Sequence, residues 1–214
     1  MIKKLAVGII LFTSLFSQAQ EEKKAQGLLD EVYAKVSSYD NIFVDFKYSL
    51  YNADANISQD TRGDVTLQKD KYIFNYLGAQ QLYDGKSVIT IVPENEEVTI
   101  ESNPDEENTI TPSKMLTFYR EGYRYAWDIP QTILGRKIQF VKLSPIDSNS
   151  EIKMILLGID VETKHIYKLI QTGINGTKTT ITVNSFKTNQ TLPKNLFSFD
   201  EAKYKNEGYY ILRN

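Results

Sequence analysis

The stretch from Tyr72 to Ile100, YIFNYLGAQQLYDGKSVITIVPENEEVTI, decides the fold. Short runs of aromatic and β-branched residues alternate with turn residues, and no run has the length or period of a helix. Side chains alternate across a strand with period two, so YIFNYL places Tyr72, Phe74 and Tyr76 on one side. Asp84-Gly85 lies between two β-prone runs and predicts a hairpin turn. Ile89 and Ile91 follow it at alternate positions, and EEVTIES puts Val98 and Ile100 on one face. Strands this close in sequence most economically pair as an antiparallel meander.

The pattern extends in both directions. Upstream, NIFVDFKYSLY (Asn41–Tyr51) sets Val44, Phe46, Tyr48 and Leu50 against Asp45, Lys47 and Ser49, and GDVTLQK (Gly63–Lys69) sets Val65 and Leu67 on one face. Before them, EEKKAQGLLDEVYAKVSSYD (Glu21–Asp40) changes to helical period, with Ala25, Leu28, Leu29, Val32 and Val36 forming an apolar stripe. Downstream, ITPSKMLTFYREGYRYAW opens with Thr111 as a helix N-cap and Pro112 at the first helical position. It predicts a short helix of two to three turns over 112–121, carrying Met115, Leu116, Phe118 and Tyr119 and ending near Gly122. Strands then return at RKIQFVKLSP, SEIKMILLGID, KHIYKLIQTG and TKTTITVNSFK, with Asn175-Gly176 marking a second hairpin. The fold class is therefore mainly β with short α: about 11 antiparallel strands in one sheet, which at that number curls. No internal repeat and no linker divides the chain.

Composition narrows the function. The chain has 214 residues, 41% of them hydrophobic, enough for one domain with a substantial core. A net charge of −2 is too balanced for a nucleic-acid binder. There is no cysteine, which excludes disulfides, thiolate metal sites, cysteine nucleophiles and lipid attachment through cysteine. His165 is the single histidine, so a multi-histidine metal site is impossible. Glu94, Glu96 and Glu97, like Asp105, Glu106 and Glu107, fall in turns and loops, without the glycine-centred pattern of a calcium loop. There is no glycine-rich phosphate loop and no GxSxG nucleophile elbow. These residues carry no enzyme mechanism, and neither a cofactor nor a metal is expected.

The first residues read as an export signal. MIKK is basic, LAVGIILFTSLF is an apolar run too short for a good membrane span, and SQAQ offers small residues for cleavage. Residues 1–19 are expected to be a cleavable signal peptide and 20–214 a single exported domain, with the periplasm as its compartment. What remains is the apolar, aromatic-rich side of the sheet. Such a surface is filled by core side chains, covered by helices, or kept for a ligand, and periodicity alone leaves these open.

Several stretches together resemble the LolA family, the periplasmic carriers of outer-membrane lipoproteins. They are the signal peptide, LLDEVYAKVSSYDNIFVDFKYSL passing into a first strand, RGDVTLQKDKYIFNY, YDGKSVITIVPENEEVTI, and the ending LPKNLFSFDEAKYKNEGYYILR. The ordered pattern GxVxLxKxxxxFxY followed by DGKxxxxxxPxxxxVTI carries most of the match. The resemblance implies an unclosed, strongly curved antiparallel β-barrel covered by an N-terminal helix and a central lid helix. It implies a monomer whose hydrophobic cavity receives lipoprotein acyl chains from an inner-membrane lipoprotein-releasing ABC transporter and passes them to an outer-membrane acceptor, without a cofactor. A carrier of another amphiphile, such as a glycolipid, a pigment lipid or a fatty acid, would share that fold. The cavity residues expected here are Val44, Phe46, Tyr48, Val65, Leu67, Phe74, Tyr76, Ile89, Ile91, Met115, Leu116 and Phe118. Where the family often has an arginine that hydrogen-bonds the lid, this chain reads Lys69, Asp70 and Lys71; Lys69 and Lys71 are the expected lid contacts, without the planar fork of arginine. Arg62, a strand-length earlier, is expected to point elsewhere.

Overall fold

The computed structural model describes residues 2–102 and 111–214. The acidic stretch 104–107 lies outside the described residues. Helix α1 spans Ile2–Ser37. Strands follow at β1 (Ile42–Asn52), β2 (Ile57–Gln68), β3 (Lys71–Tyr76), β4 (Ala79–Tyr83), β5 (Ser87–Val92) and β6 (Glu97–Ser102). A short helix α2 (Pro112–Met115) precedes β7 (Tyr123–Ile133), β8 (Arg136–Pro145), β9 (Ile152–Asp160), β10 (Ile166–Gly173) and β11 (Lys178–Thr188). Helix α3 (Glu201–Asn206) and strand β12 (Tyr210–Arg213) complete the order.

Among the described residues the strands form one 12-stranded sheet in the order β12-β6-β5-β4-β3-β2-β1-β11-β10-β9-β8-β7. The order is open, with β12 and β7 at its ends, so the expected class of an unclosed, mainly antiparallel β-sheet with helices is the one observed. Two details differ. β12 pairs with β6 in parallel, Tyr210 opposite Glu97 and Arg213 opposite Ile100, which a meander does not anticipate. The central helix is also shorter than expected. One α-turn at Pro112–Met115 is followed by a 3-10 turn at Phe118–Arg120. The Thr111 hydroxyl accepts from the Lys114 amide at 3.3 Å, so the cap is as read, but the turn does not propagate.

Two compact units are distinguished. The first comprises Met1–Ser37, Tyr51–Ile57 and Tyr119–Thr180. In it α1 packs on β7, and Ala25, Leu28, Leu29, Val32 and Val36 are all buried. Val141, Leu143, Ile155, Leu157 and Ile159 share one face of β8 and β9 through the register Val141–Leu157 and Leu143–Ile155, and none is more than 1% exposed. Phe140 lies over Gly158 on the other face, where a Cβ would come 2.8 Å from its ring. Leu134-Gly135 turns β7 into β8 with both residues at positive φ, and Leu134 is 87% exposed.

The second unit comprises Ser38–Leu50, Ser58–Phe118 and Ile181–Asn214. Its hairpins follow the turn chemistry. Asp84 accepts from the Lys86 and Ser87 amides at 2.8 and 2.9 Å, and Gly85 takes φ 96°, as the Asp-Gly pair predicts. One face of β4, β5 and β6 carries Leu82, Ile89, Ile91, Val98 and Ile100 as a buried cluster, covered by Phe199, Tyr204, Tyr209 and Ile211 from the C-terminal segment. Helix α3 presents Tyr204 there. Asp200 caps it by accepting from the Lys203 amide at 3.0 Å, and Glu201 joins Lys205 at 2.8 Å and also Arg213 of β12. The lysine and then the arginine, both bonding its carboxylate, hold the pKa of Glu201 below the usual range.

Candidate functional site

The aromatic side of β1, β2 and β3 in the second unit is the candidate site. The β2–β3 register sets Gly63 opposite Tyr76, Val65 opposite Phe74, and Leu67 opposite Tyr72, so these six positions share a face and the five side chains they carry lie on it. β1 adds Phe46 and Tyr48. Phe46 stacks on Phe74 with ring centroids 6.2 Å apart and planes 15° apart, Phe74 stacks on Tyr76 at 5.8 Å, and Tyr48 meets Tyr76 edge-on at 5.5 Å. Each such contact contributes roughly 0.5–1.5 kcal/mol beyond the area it buries.

This cluster depends on a glycine. β1 and β3 are separated by β2, and two strand spacings amount to roughly 9–10 Å. Rings from β1 and β3 meet only if nothing stands on the strand between them. Gly63 provides the gap: a Cβ there would lie 2.6 Å from Phe46 Cζ and 2.7 Å from the Asn75 carbonyl oxygen. The signal was legible in the sequence, since a glycine opening an alternating strand marks a close approach, but the partner ring was not.

The face is graded in exposure. Val44, Phe46, Val65 and Leu67 are buried, while Tyr48, Phe74 and Tyr76 are only half-buried. Tyr72, beyond Phe74 on the same strand face, is 1% exposed and donates to Gln81 Oε1 at 2.9 Å. Burial, reinforced by Tyr83 and Glu101, pushes its phenol up to about 12, so it stays neutral across the physiological range. Burial, with Tyr48 beside it, also raises the pKa of Tyr76. The result is an uncharged, largely aromatic surface with hydroxyls at its margin. Tyr72, Gln81 and Gly63 were not among the expected site residues.

The remaining expected residues are placed differently. Ile89 and Ile91 are a correction. They lie on the opposite face of the sheet, because Ile89 pairs with Leu82 and Ile91 with Gln80, whose neighbours on β3 are Ile73 and Asn75 rather than Phe74 and Tyr76. Both belong to the cluster that the C-terminal segment covers. Period-two reading assigns alternation within a strand but not which alternate faces which way across a turn. In the central segment Met115 is 43% exposed, Leu116 and Phe118 are half-buried, and α2 approaches β3. Lys69 forms the β2–β3 turn at φ 53°, and the Lys71 Cε lies 3.5 Å from where a Cβ on Gly85 would be. Arg62 does point away from the aromatic face, being on β2 next to Gly63.

Other chemistry is sparse. Among the described residues no group of three or more His, Asp or Glu side chains is placed to hold a metal ion. His165 lies beside the β9–β10 turn, where burial and then Lys35 lower its pKa against the opposing pull of Asp160. No described helix is long and apolar enough to cross a membrane.

The second unit thus presents one aromatic face of the open β-sheet that is incompletely covered. The comparisons give the family. Residues 37–200 match the model of the outer membrane lipoprotein carrier protein LolA, and the chain belongs to that family. No curated protein matches it by sequence. Solved structures do. A conserved, uncharacterised protein from Thermus thermophilus is 10% identical, with 89% of this chain and 99% of that one covered at a TM-score of 0.59. LprF from Mycobacterium bovis is 13% identical, with 80% and 97% covered at 0.51. A LolA superfamily protein from Nitrosomonas europaea is 13% identical, with 82% and 97% covered at 0.40. At these identities the likeness to the first two is one of fold.

Proposed function

We propose that this protein is a periplasmic carrier that shields the acyl chains of lipoproteins on the aromatic face of β1–β3. It takes them from an inner-membrane lipoprotein-releasing ABC transporter and ferries them to an acceptor at the outer membrane. The observation that carries this reading is the asymmetry of the sheet in the second unit. The face bearing Ile89 and Ile91 is covered by the chain's own C-terminal residues, whereas Tyr48, Phe74 and Tyr76 on the other stay half-buried. Family membership supports lipoprotein acyl chains as the class of cargo.

Energetics constrain how such a carrier works. Burying a methylene contributes about 0.8 kcal/mol, so three chains of about 16 carbons would yield on the order of 35–40 kcal/mol if fully dehydrated. Non-covalent affinity saturates near roughly 18–21 kcal/mol, and a carrier must also let go. Partial shielding, or exchange of one apolar filling for another, resolves this. Met115, Leu116 and Phe118 are the residues to be displaced in such an exchange, because α2 approaches β3 and their segment is only partly buried. Methionine suits the role, being flexible and polarizable. Phe118→Ala is expected to change both uptake and release of an acylated peptide; unchanged kinetics would remove the central segment from the mechanism.

The decisive experiment is native mass spectrometry of the protein purified from the periplasm without detergent, followed by lipid extraction. A bound triacylated polypeptide is expected. A bound glycolipid, pigment lipid or fatty acid would redirect the function to another amphiphile. A clean apo mass with no uptake of added acylated peptide would return the aromatic face to the core.

A further inference from the structure

Resting on that carrier reading, we infer that the cleft lined by Asp45, Arg62, Asp64, Asn75, Leu77 and Gln80 seats the first residues of the polypeptide that follows the acyl anchor. The cleft lies in the second unit, encloses about 400 Å³ and is open to solvent. It is on the side of β2 and β3 opposite the aromatic rings, since Asp64 pairs with Asn75 between the pairs that carry those rings.

Its polar groups are held in place. The Gln80 amide donates to Asn75 Oδ1 at 2.9 Å, and the Asn75 amide donates to Asp64 Oδ1 at 2.9 Å. On the β1 side, the Asn184 amide donates to Asp45 Oδ1 at 2.8 Å. These bonds fix the side chains without exhausting them. Each carboxylate keeps a second oxygen, each amide keeps a second N–H, and Gln80 keeps its carbonyl. Arg62 is exposed, and among the described residues no carboxylate lies within ion-pair distance of its guanidinium. The cleft thus offers fixed donors and acceptors of both kinds, with an available guanidinium, which is the complement of an extended main chain. Leu77 and Pro93 give its margin an apolar component.

Position selects the occupant. Gly63 and Tyr76 line this cleft and also belong to the aromatic face. They form the last β2–β3 pair before the Leu77-Gly78 turn. A chain leaving the aromatic rings past that pair meets the cleft directly, and Leu77, 69% exposed at the turn, stands at the crossing. An acylated protein has this composition: an apolar anchor joined directly to a peptide.

Two probes test the inference: a triacylated cysteine bearing a single serine amide, and the same anchor extended by eight serine, glycine and alanine residues. Each competes with a bound hydrophobic dye. The extended probe is expected to bind wild type roughly tenfold more tightly, the scale of one or two hydrogen bonds with a charged member. Arg62→Ala and, separately, Gln80→Ala are expected to abolish that gain while leaving the short probe's affinity unchanged. Equal affinity of both probes for wild type would overturn the inference, as would equal weakening of both by Arg62→Ala. Failure of the extended probe alone to bind would overturn the inference, and failure of both probes would overturn the carrier reading itself.

Discussion

Gly63 and Gly27 differ in what surrounds them, and the same substitution has opposite expected effects at the two. At Gly63 an added methyl would come within 2.6 Å of the Phe46 ring and 2.7 Å of the Asn75 carbonyl oxygen, so one of these groups or the backbone must shift. Gly63→Ala is expected to cost about 1–3 kcal/mol, as overpacking does, and to alter the near-ultraviolet circular dichroism of the stacked rings. Gly27 sits in α1 with nothing within 4 Å of an added Cβ, and Gly27→Ala is expected to gain roughly 0.5–1 kcal/mol from helix propensity, measured for both variants by urea titration. Leu134 is a second position where local rules are broken. A branched side chain at φ 50° and 87% exposed gains nothing from the turn it occupies. Asparagine tolerates that conformation, so Leu134→Asn is expected to stabilise the protein by about 1 kcal/mol in thermal unfolding.

At the scale of elements, sequence legibility followed the length of the periodic signal. α1's stripe, the alternating strands and both hairpin turns were legible because burial and turn geometry act on near neighbours. Helix α3 was not anticipated, although Asp200 before Glu201 and Gly208 beyond the end are boundary signals; six residues give no period to read. The parallel pairing of β12 with β6 joins segments distant in sequence, for which no local signal exists. The same limit misplaced Ile89 and Ile91, since which face a strand turns inward depends on what covers it. The C-terminal cover itself is testable. Asp200→Ala removes the acceptor for the Lys203 amide and is expected to cost about 1 kcal/mol. Hydrogen exchange should then quicken at Tyr209–Arg213 before it quickens in β8 and β9.

For the molecule as a whole, His165 gives stability a pH dependence. Its folded pKa lies below the unfolded value of 6.5, chiefly through burial and Lys35. As pH falls below 6.5 the unfolded chain takes up the proton first, so stability present above that pH is lost until the folded pKa is passed. Denaturation at pH 7.5 and pH 5 should show that loss, and His165→Gln should reduce it. The fold class and family were legible from the ordered motifs, and the chain's membership of the LolA family agrees with them. The candidate site was legible only as a strand face. Its dependence on Gly63 and the polar cleft behind it needed coordinates, because both join residues on different strands. In the second unit the sheet divides its labour, one face covered by Phe199, Tyr204, Tyr209 and Ile211 and the other carrying half-buried rings. If those rings hold cargo, inherited change at Tyr48 or Tyr76 can retune what is carried while leaving the opposite core untouched. A lineage of such proteins would then diversify its cargo faster than its scaffold, keeping one architecture across sequences that scarcely resemble one another.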